Sequence, residues 1–248
     1  MTEFKKEIEQ VDEEVLVKLI MDAFRRIIFH YGAWFAQVEH QLGLEKALEI
    51  EQSVWGPALE NQMTRLGKTF GFPVEKGIPA FLKSLSKEKL IDLLEKLGVN
   101  WLANDGLWFQ AVEKKFGMND AKRCNDTCWS RYSPFEAARI KELLGIPEKG
   151  GIPALKKALA FRMYALINRQ SVEDVDDHCI IFRMNDCRVQ SARKRKGLPD
   201  YPCKSAGLVE YPAFASTIDS RIRTECVGCP PDDHPDDWFC AWKFTLVE

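Results

Sequence analysis

The arrangement in this chain most able to do chemistry is Cys226-Val227-Gly228-Cys229, a CxxC pair that can put two thiolates on one ion. Cys240 follows the pair after ten intervening residues, and Cys203 and Cys187 precede it. These five of the eight cysteines fall within about 54 residues, and none of the eight lies before Cys124. Four thiolates at the corners of a tetrahedron suit zinc, at about 2.3 Å from the metal. The expected ligands are Cys203, Cys226, Cys229 and Cys240, with Cys187 in reserve. Proline follows Cys229 directly, as it often follows an iron–sulfur ligand, so a cluster is the alternative cofactor and redox thiols without metal are a third possibility. His234 is either a substitute ligand or an ordinary loop histidine. Cys124 and Cys128 stand one helical turn apart and read as buried apolar thiols.

A second set of candidates comes from an internal duplication. Shifted by 74 residues, YGAWFAQVEHQLGLEKALEIEQSVW lies over DGLWFQAVEKKFGMNDAKRCNDTCW, and GFPVEKGIPAFLKSL lies over GIPEKGGIPALKKAL, both without a gap. Trp34 falls on Trp108, Glu39 on Glu113 and Trp55 on Trp129. Trp34, Trp108, Glu39 and Glu113 are therefore the candidate ligand-binding residues, a carboxylate pair beside two tryptophans. Core packing for the tryptophans and surface or capping roles for the glutamates are the plainer alternatives. The pairs His30/Asn104 and Glu51/Asn125 differ, so a polar site in one copy is not repeated in the other.

The elements that carry these residues follow from hydrophobic spacing. Val15, Leu16, Leu19, Ile20, Ala23, Phe24 and Ile27 recur at three and four residues and mark one helix. Trp34, Phe35, Val38 and Leu42 mark a second, ending at Gly43, and a third should run through Trp55 or Trp129. Ile78-Pro79 and Ile152-Pro153 suit the first turn of a fourth. Asp12 and Ser86 are the expected N-caps. Two such bundles could pack about a pseudo-twofold axis around a groove. After about Ala160 the pattern changes: FRMYALINRQ finishes a helix, HCIIFRMNDCRVQ reads as a strand and RKRKGLPDYP as a basic loop. GLVEYPAFASTIDSRI reads as a helix, and IRTECV and WFCAWKFTLV as strands. The expected fold is α+β: helical repeat units over about 1–85 and 86–159, then a Cys-rich metal-binding module with an antiparallel sheet over 160–248.

Net charge is -2 across 35 basic and 37 acidic residues, which gives no general electrostatic basis for nucleic acid or membrane as a partner. The run Arg193-Lys194-Arg195-Lys196 could grip a phosphate or a carboxylate, or be a solvated loop; it lacks the interleaved aromatics of single-strand nucleic-acid grooves. The first residues carry no apolar signal segment, and no apolar run reaches the roughly 18 residues of a membrane span. A cytoplasmic protein is expected, in which clustered cysteines favour metal or reactive thiols over disulfides. No Ser-His-Asp order, phosphate loop or dinucleotide fingerprint appears.

DCRVQSARKRKGLPDYPCKSAGLVEY, TECVGCPPDDHPDDWFCAWKF and DGLWFQAVEKKFG together resemble an uncharacterised family of cytosolic proteins from anaerobic bacteria and archaea, over about 105–248. The ending, a strand with Glu-Cys followed by Phe-Cys-x-Trp-x-Phe, is more distantly similar to 4-vinyl reductase-type hydrocarbon-binding domains and to 2-amino-thiazoline-4-carboxylate hydrolases. The former likeness implies a small-molecule pocket and zinc at cysteines near this end, where Cys226 and Cys240 match; the CPPD insertion departs from the pattern. The reading is a zinc-binding protein with a pocket for an apolar or carboxylate-bearing small molecule. A metal-dependent hydrolase and an iron–sulfur or thiol redox protein are the alternatives.

Overall fold

The computed structural model describes residues 7–195, 197 and 199–248. The chain divides into two compact units, Met1–Ser84 and Leu85–Glu248. Each contains the same hairpin of long helices. In the first unit α1 spans Glu13–Leu42 and α2 spans Leu44–Phe70; in the second α4 spans Lys87–Phe116 and α5 spans Met118–Leu144. Helix lengths match in pairs, 30 and 27 residues, and both ends of each helix keep the offset of the sequence repeat. Trp34 and Trp108 lie in the first helix of their hairpins, Trp55 and Trp129 in the second.

The spacing suggested separate helices on either side of Gly32. The structure makes them one, because an interior glycine costs only about 1 kcal/mol and the apolar stripe continues in phase across it. The chain reverses instead at Gly43 and Gly117, with φ 87° and 89° and ψ 162° and 169°. That backbone region is nearly closed to residues with a Cβ. Ser86 caps α4 by accepting from the Lys89 amide at 3.3 Å, whereas the Asp12 side chain makes no cap hydrogen bond.

The copies diverge after the hairpin. In the first, Val74–Glu75 (β1) and Ile78–Pro79 (β2) form a two-stranded ladder before the short helix α3, Ala80–Lys83. In the second, α6 runs over Gly151–Leu159 with Pro153 in its first turn. A 3-10 turn, Met163–Leu166, then leads into an antiparallel four-stranded sheet. Its strands are β3 (Arg169–Asp176), β4 (Cys179–Asp186), β5 (Ile222–Gly228) and β6 (Cys240–Leu246), in the order β3-β4-β6-β5. Helix α7 (Arg188–Arg195) and helix α8 (Lys204–Ile218) connect β4 to β5.

Two readings of the tail are corrected here. The segment ending INRQ does not finish a helix; its last residues open β3. The basic stretch is not all loop, since Arg193, Lys194 and Arg195 form the last turn of α7, and Lys196 lies outside the described residues. The class is α+β, as the sequence implied. One core unites the second repeat with the tail: Ala137 and Ile140 of α5, Leu155 of α6 and Phe214 of α8 pack with Phe182, Trp242 and Phe244 of the sheet. This explains the fate of the paired tryptophans. Trp129 is 4% exposed, beneath the tail, while Trp55 is 46% exposed.

Candidate functional site

Within the second unit, α4, α5, α7, α8 and the start of β6 line an open cavity of about 770 Å³. Four thiols line it: Cys187, Cys203, Cys229 and Cys240. Cys203 lies just before α8, and Cys229 lies just past β5. The Lys204 amide donates to the Pro230 carbonyl at 2.9 Å, tying the start of α8 to the loop after Cys229. The Cys203 and Cys229 sulfurs are consequently 3.5 Å apart. Its neighbours Cys203 and Cys240, together with burial, push the ionisation of the Cys229 thiol far up. Burial likewise pushes the Cys187 thiol up to about 12. The Cys203 thiol is lowered, first by its hydrogen bond with Cys229 and further by one from Gln190.

Gln190 of α7 fixes this corner. It is buried; its amide donates to the Tyr201 carbonyl at 2.8 Å and to the Cys203 sulfur at 3.5 Å, and its carbonyl accepts from the Tyr201 amide at 2.8 Å. Tyr201 packs edge-on against Phe109 of α4 and donates to Asn125 at 3.3 Å. Asn125 in turn donates to Asp105 at 3.5 Å. The equivalent positions in the first unit hold a different pair, Tyr31 donating to Glu51 at 2.9 Å. The duplicated helix contact is therefore kept in both copies, but only the second builds it into the cavity.

A charged triad stands behind the opposite wall. Arg162, 2% exposed, donates to Glu136 at 2.8 Å and to Glu210 at 2.6 Å, and the Met163 amide donates to Glu136 at 2.9 Å. Burial opposes the charge of Arg162, but the two carboxylates hold its ionisation well above the ordinary value. Glu210 lines the cavity, and burial raises its carboxyl despite Arg162. Asp105 lines it too and is raised by burial. Trp129 and Tyr164 stack at 5.4 Å and supply a flat apolar wall.

The profile of one family of unknown function, DUF6125, matches the chain twice, over residues 9–86 and 83–246. The chain belongs to the DUF6125 family. No curated protein and no solved structure matches it. The first match covers the first helical unit of this DUF6125 protein and the second covers the other hairpin with its tail, as a duplication with one extended copy requires.

In this DUF6125 chain the sequence candidates separate. Cys203, Cys229, Cys240 and Cys187 meet at the cavity. Cys226 does not line it; it sits on β5 opposite Trp242, packed against the core. Among the described residues no set of three or more His, Cys, Asp and Glu side chains is placed, as it stands, to hold a metal ion. Glu113 lines the cavity, whereas Glu39 belongs to the first unit. Trp34 is exposed; Trp108 is exposed as well and borders a smaller cavity of about 450 Å³, together with Cys124 and Cys128. Those two thiols are exposed rather than buried, because the buried face of α5 runs through Trp129, Ser133 and Ala137. His234 pairs with Asp200 at 3.0 Å, away from the cavity lining. Sequence reasoning missed Glu210, Asp105, Gln190 and the Arg162 triad. Asp105 alone carried a signal, since it replaces Tyr31 in the repeat.

Proposed function

We propose that the second unit is a small-molecule-binding module whose cavity carries a thiol-held zinc ion on its wall, with Cys203, Cys229 and Cys240 as ligands. The 3.5 Å between the Cys203 and Cys229 sulfurs carries this reading. Two thiolates bound at about 2.3 Å to a tetrahedral metal stand about 3.8 Å apart, far beyond the roughly 2.05 Å of a disulfide. Cys240, which lines the same cavity, completes the three ligands. The fourth position then faces the cavity and the bound molecule. All eight cysteines are free, which suits a reducing compartment and a cytoplasmic protein.

A metal-dependent hydrolase is the second reading. It is favoured by Asp105, a half-buried carboxyl on the same cavity, whose place there suits a base that takes a proton from a metal-bound water. Metal analysis of anaerobically purified protein tests the proposal. Near-stoichiometric zinc in the wild type, lost in Cys229→Ser and kept in Cys124→Ser, is the expected result. Protein folded and free of metal in the presence of zinc overturns it.

A further inference from the structure

We infer that the cavity takes an organic anion, a carboxylate or phosphate on a flat apolar body, with its charged head held by Arg188 and Arg195 of α7. The inference rests on the cavity being a ligand site, but not on the metal. Arg188, Ala192 and Arg195 follow one another at four and three residues, so they share one face of α7, and all three line the cavity. Ala192, between them on that face, adds only a methyl group. Arg193 also lines the cavity, but its Nε is engaged by the Pro199 carbonyl at 2.7 Å. None of these three arginines forms an ion pair among the described residues, although ion pairs are common elsewhere in the unit.

Three carboxyls line the cavity as well: Glu210 is buried and already engaged by Arg162, and Asp105, which accepts from Asn125, and Glu113 are half-buried, whereas Arg188 and Arg195 are exposed. An anion is therefore met at the rim by free guanidinium groups, which bind carboxylate and phosphate through paired hydrogen bonds. Its body passes between Phe109, Tyr201 and the stacked Trp129–Tyr164 pair, a wall that suits a flat apolar group. A volume of about 770 Å³ is sufficient for a drug-sized molecule.

The test uses the full chain and four probes followed by ligand-observed NMR: benzoate, phenyl phosphate, inorganic phosphate and benzyl alcohol. The proteins are the wild type, Arg188→Gln/Arg195→Gln, and wild type stripped of metal by a chelator. Benzoate or phenyl phosphate should bind the wild type at least tenfold more tightly than benzyl alcohol and inorganic phosphate. That preference should vanish in the double variant, with benzyl alcohol unchanged, and should survive chelation. Benzyl alcohol binding as tightly as the anions overturns the inference. So does inorganic phosphate binding as well as phenyl phosphate, or a preference that persists in the double variant. A preference that disappears on chelation places the anion on a metal and not on α7. If no probe binds, the ligand-site reading itself fails, a result separate from the others.

Discussion

Gly207→Ala should destabilise the second unit out of proportion to the single methyl it adds. Gly207 sits on α8 where that helix crosses β6, and an added Cβ would fall 2.3 Å from Cζ2 and 2.8 Å from Cη2 of Trp242. Carbon atoms pack at about 3.5–4.0 Å, so helix and indole must separate by more than about 1 Å. The indole has no room to yield. It is fully buried, on a strand paired on both sides, and stacked on Tyr211 at 4.7 Å. Overpacking of this kind costs about 1–3 kcal/mol, and the rigidity of both partners puts the expected cost near about 3. For a unit of this size that lowers Tm by about 6–12 °C. Thermal unfolding followed by circular dichroism measures it, with Gly106→Ala as control. There the nearest atom is Gln110 Nε2 at 3.9 Å, an ordinary contact, and the helix gains up to about 1 kcal/mol. A Gly207→Ala protein that melts within 2 °C of wild type would refute the packing argument, on the same scale of about 2–4 °C per kcal/mol.

Arg162→Met leaves Glu136 and Glu210 buried without their cation and should cost about 3–5 kcal/mol near neutral pH by urea unfolding. Glu210 is raised in the folded state, so the stability it contributes is complete below its unfolded value of about 4.3 and falls as pH rises through the folded one; the Arg162→Met loss should accordingly be smallest in acid. Asp219 behaves oppositely: hydrogen bonds from Arg221, and from the Gly151 amide at 2.9 Å, hold its carboxylate below the usual range. Its contribution is present above about 3.9 and lost as pH falls through the folded value, so Asp219→Asn should cost about 2–3 kcal/mol at pH 7 and progressively less in acid. Gly43→Ala and Gly117→Ala should each cost about 1–3 kcal/mol, in similar measure, because both positions hold the same nearly glycine-only backbone; costs differing by more than about 2 kcal/mol would count against equivalent turns.

The repeat and its helical character were legible because two tryptophans and a terminal glycine stand in register in each copy, whereas the fusion of two expected helices into one across Gly32 was not. Nor was strand β3. Arg169, Gln170, Ser171, Glu173 and Asp174 give no apolar alternation, and the strand is an exposed sheet edge guarded by charge. Ile180, Phe182 and Met184 of β4 alternate cleanly, since one face of that strand is core. The clustering of cysteines pointed to the part of the chain that lines the cavity but not to which thiols meet. Cys226 and Cys229 are near neighbours in sequence, yet an irregularity in the β5–β6 pairing between Cys226 and Gly228 helps separate them, and Cys203 takes the place beside Cys229. The Arg162 triad joins residues 26 and 48 positions apart, on two helices and the turn after α6, a pairing that no local pattern encodes.

X-ray absorption at the zinc edge of the anaerobically purified protein tests the proposed thiol site most directly. Three sulfur neighbours at about 2.3 Å and one lighter atom near about 2.0 Å are the predicted shell, with sulfur neighbours falling to two or the metal lost in Cys240→Ser. Four sulfurs would close the site against the cavity, and a shell of nitrogen and oxygen alone, or protein that takes up no zinc, would contradict a thiol-held metal on the cavity wall.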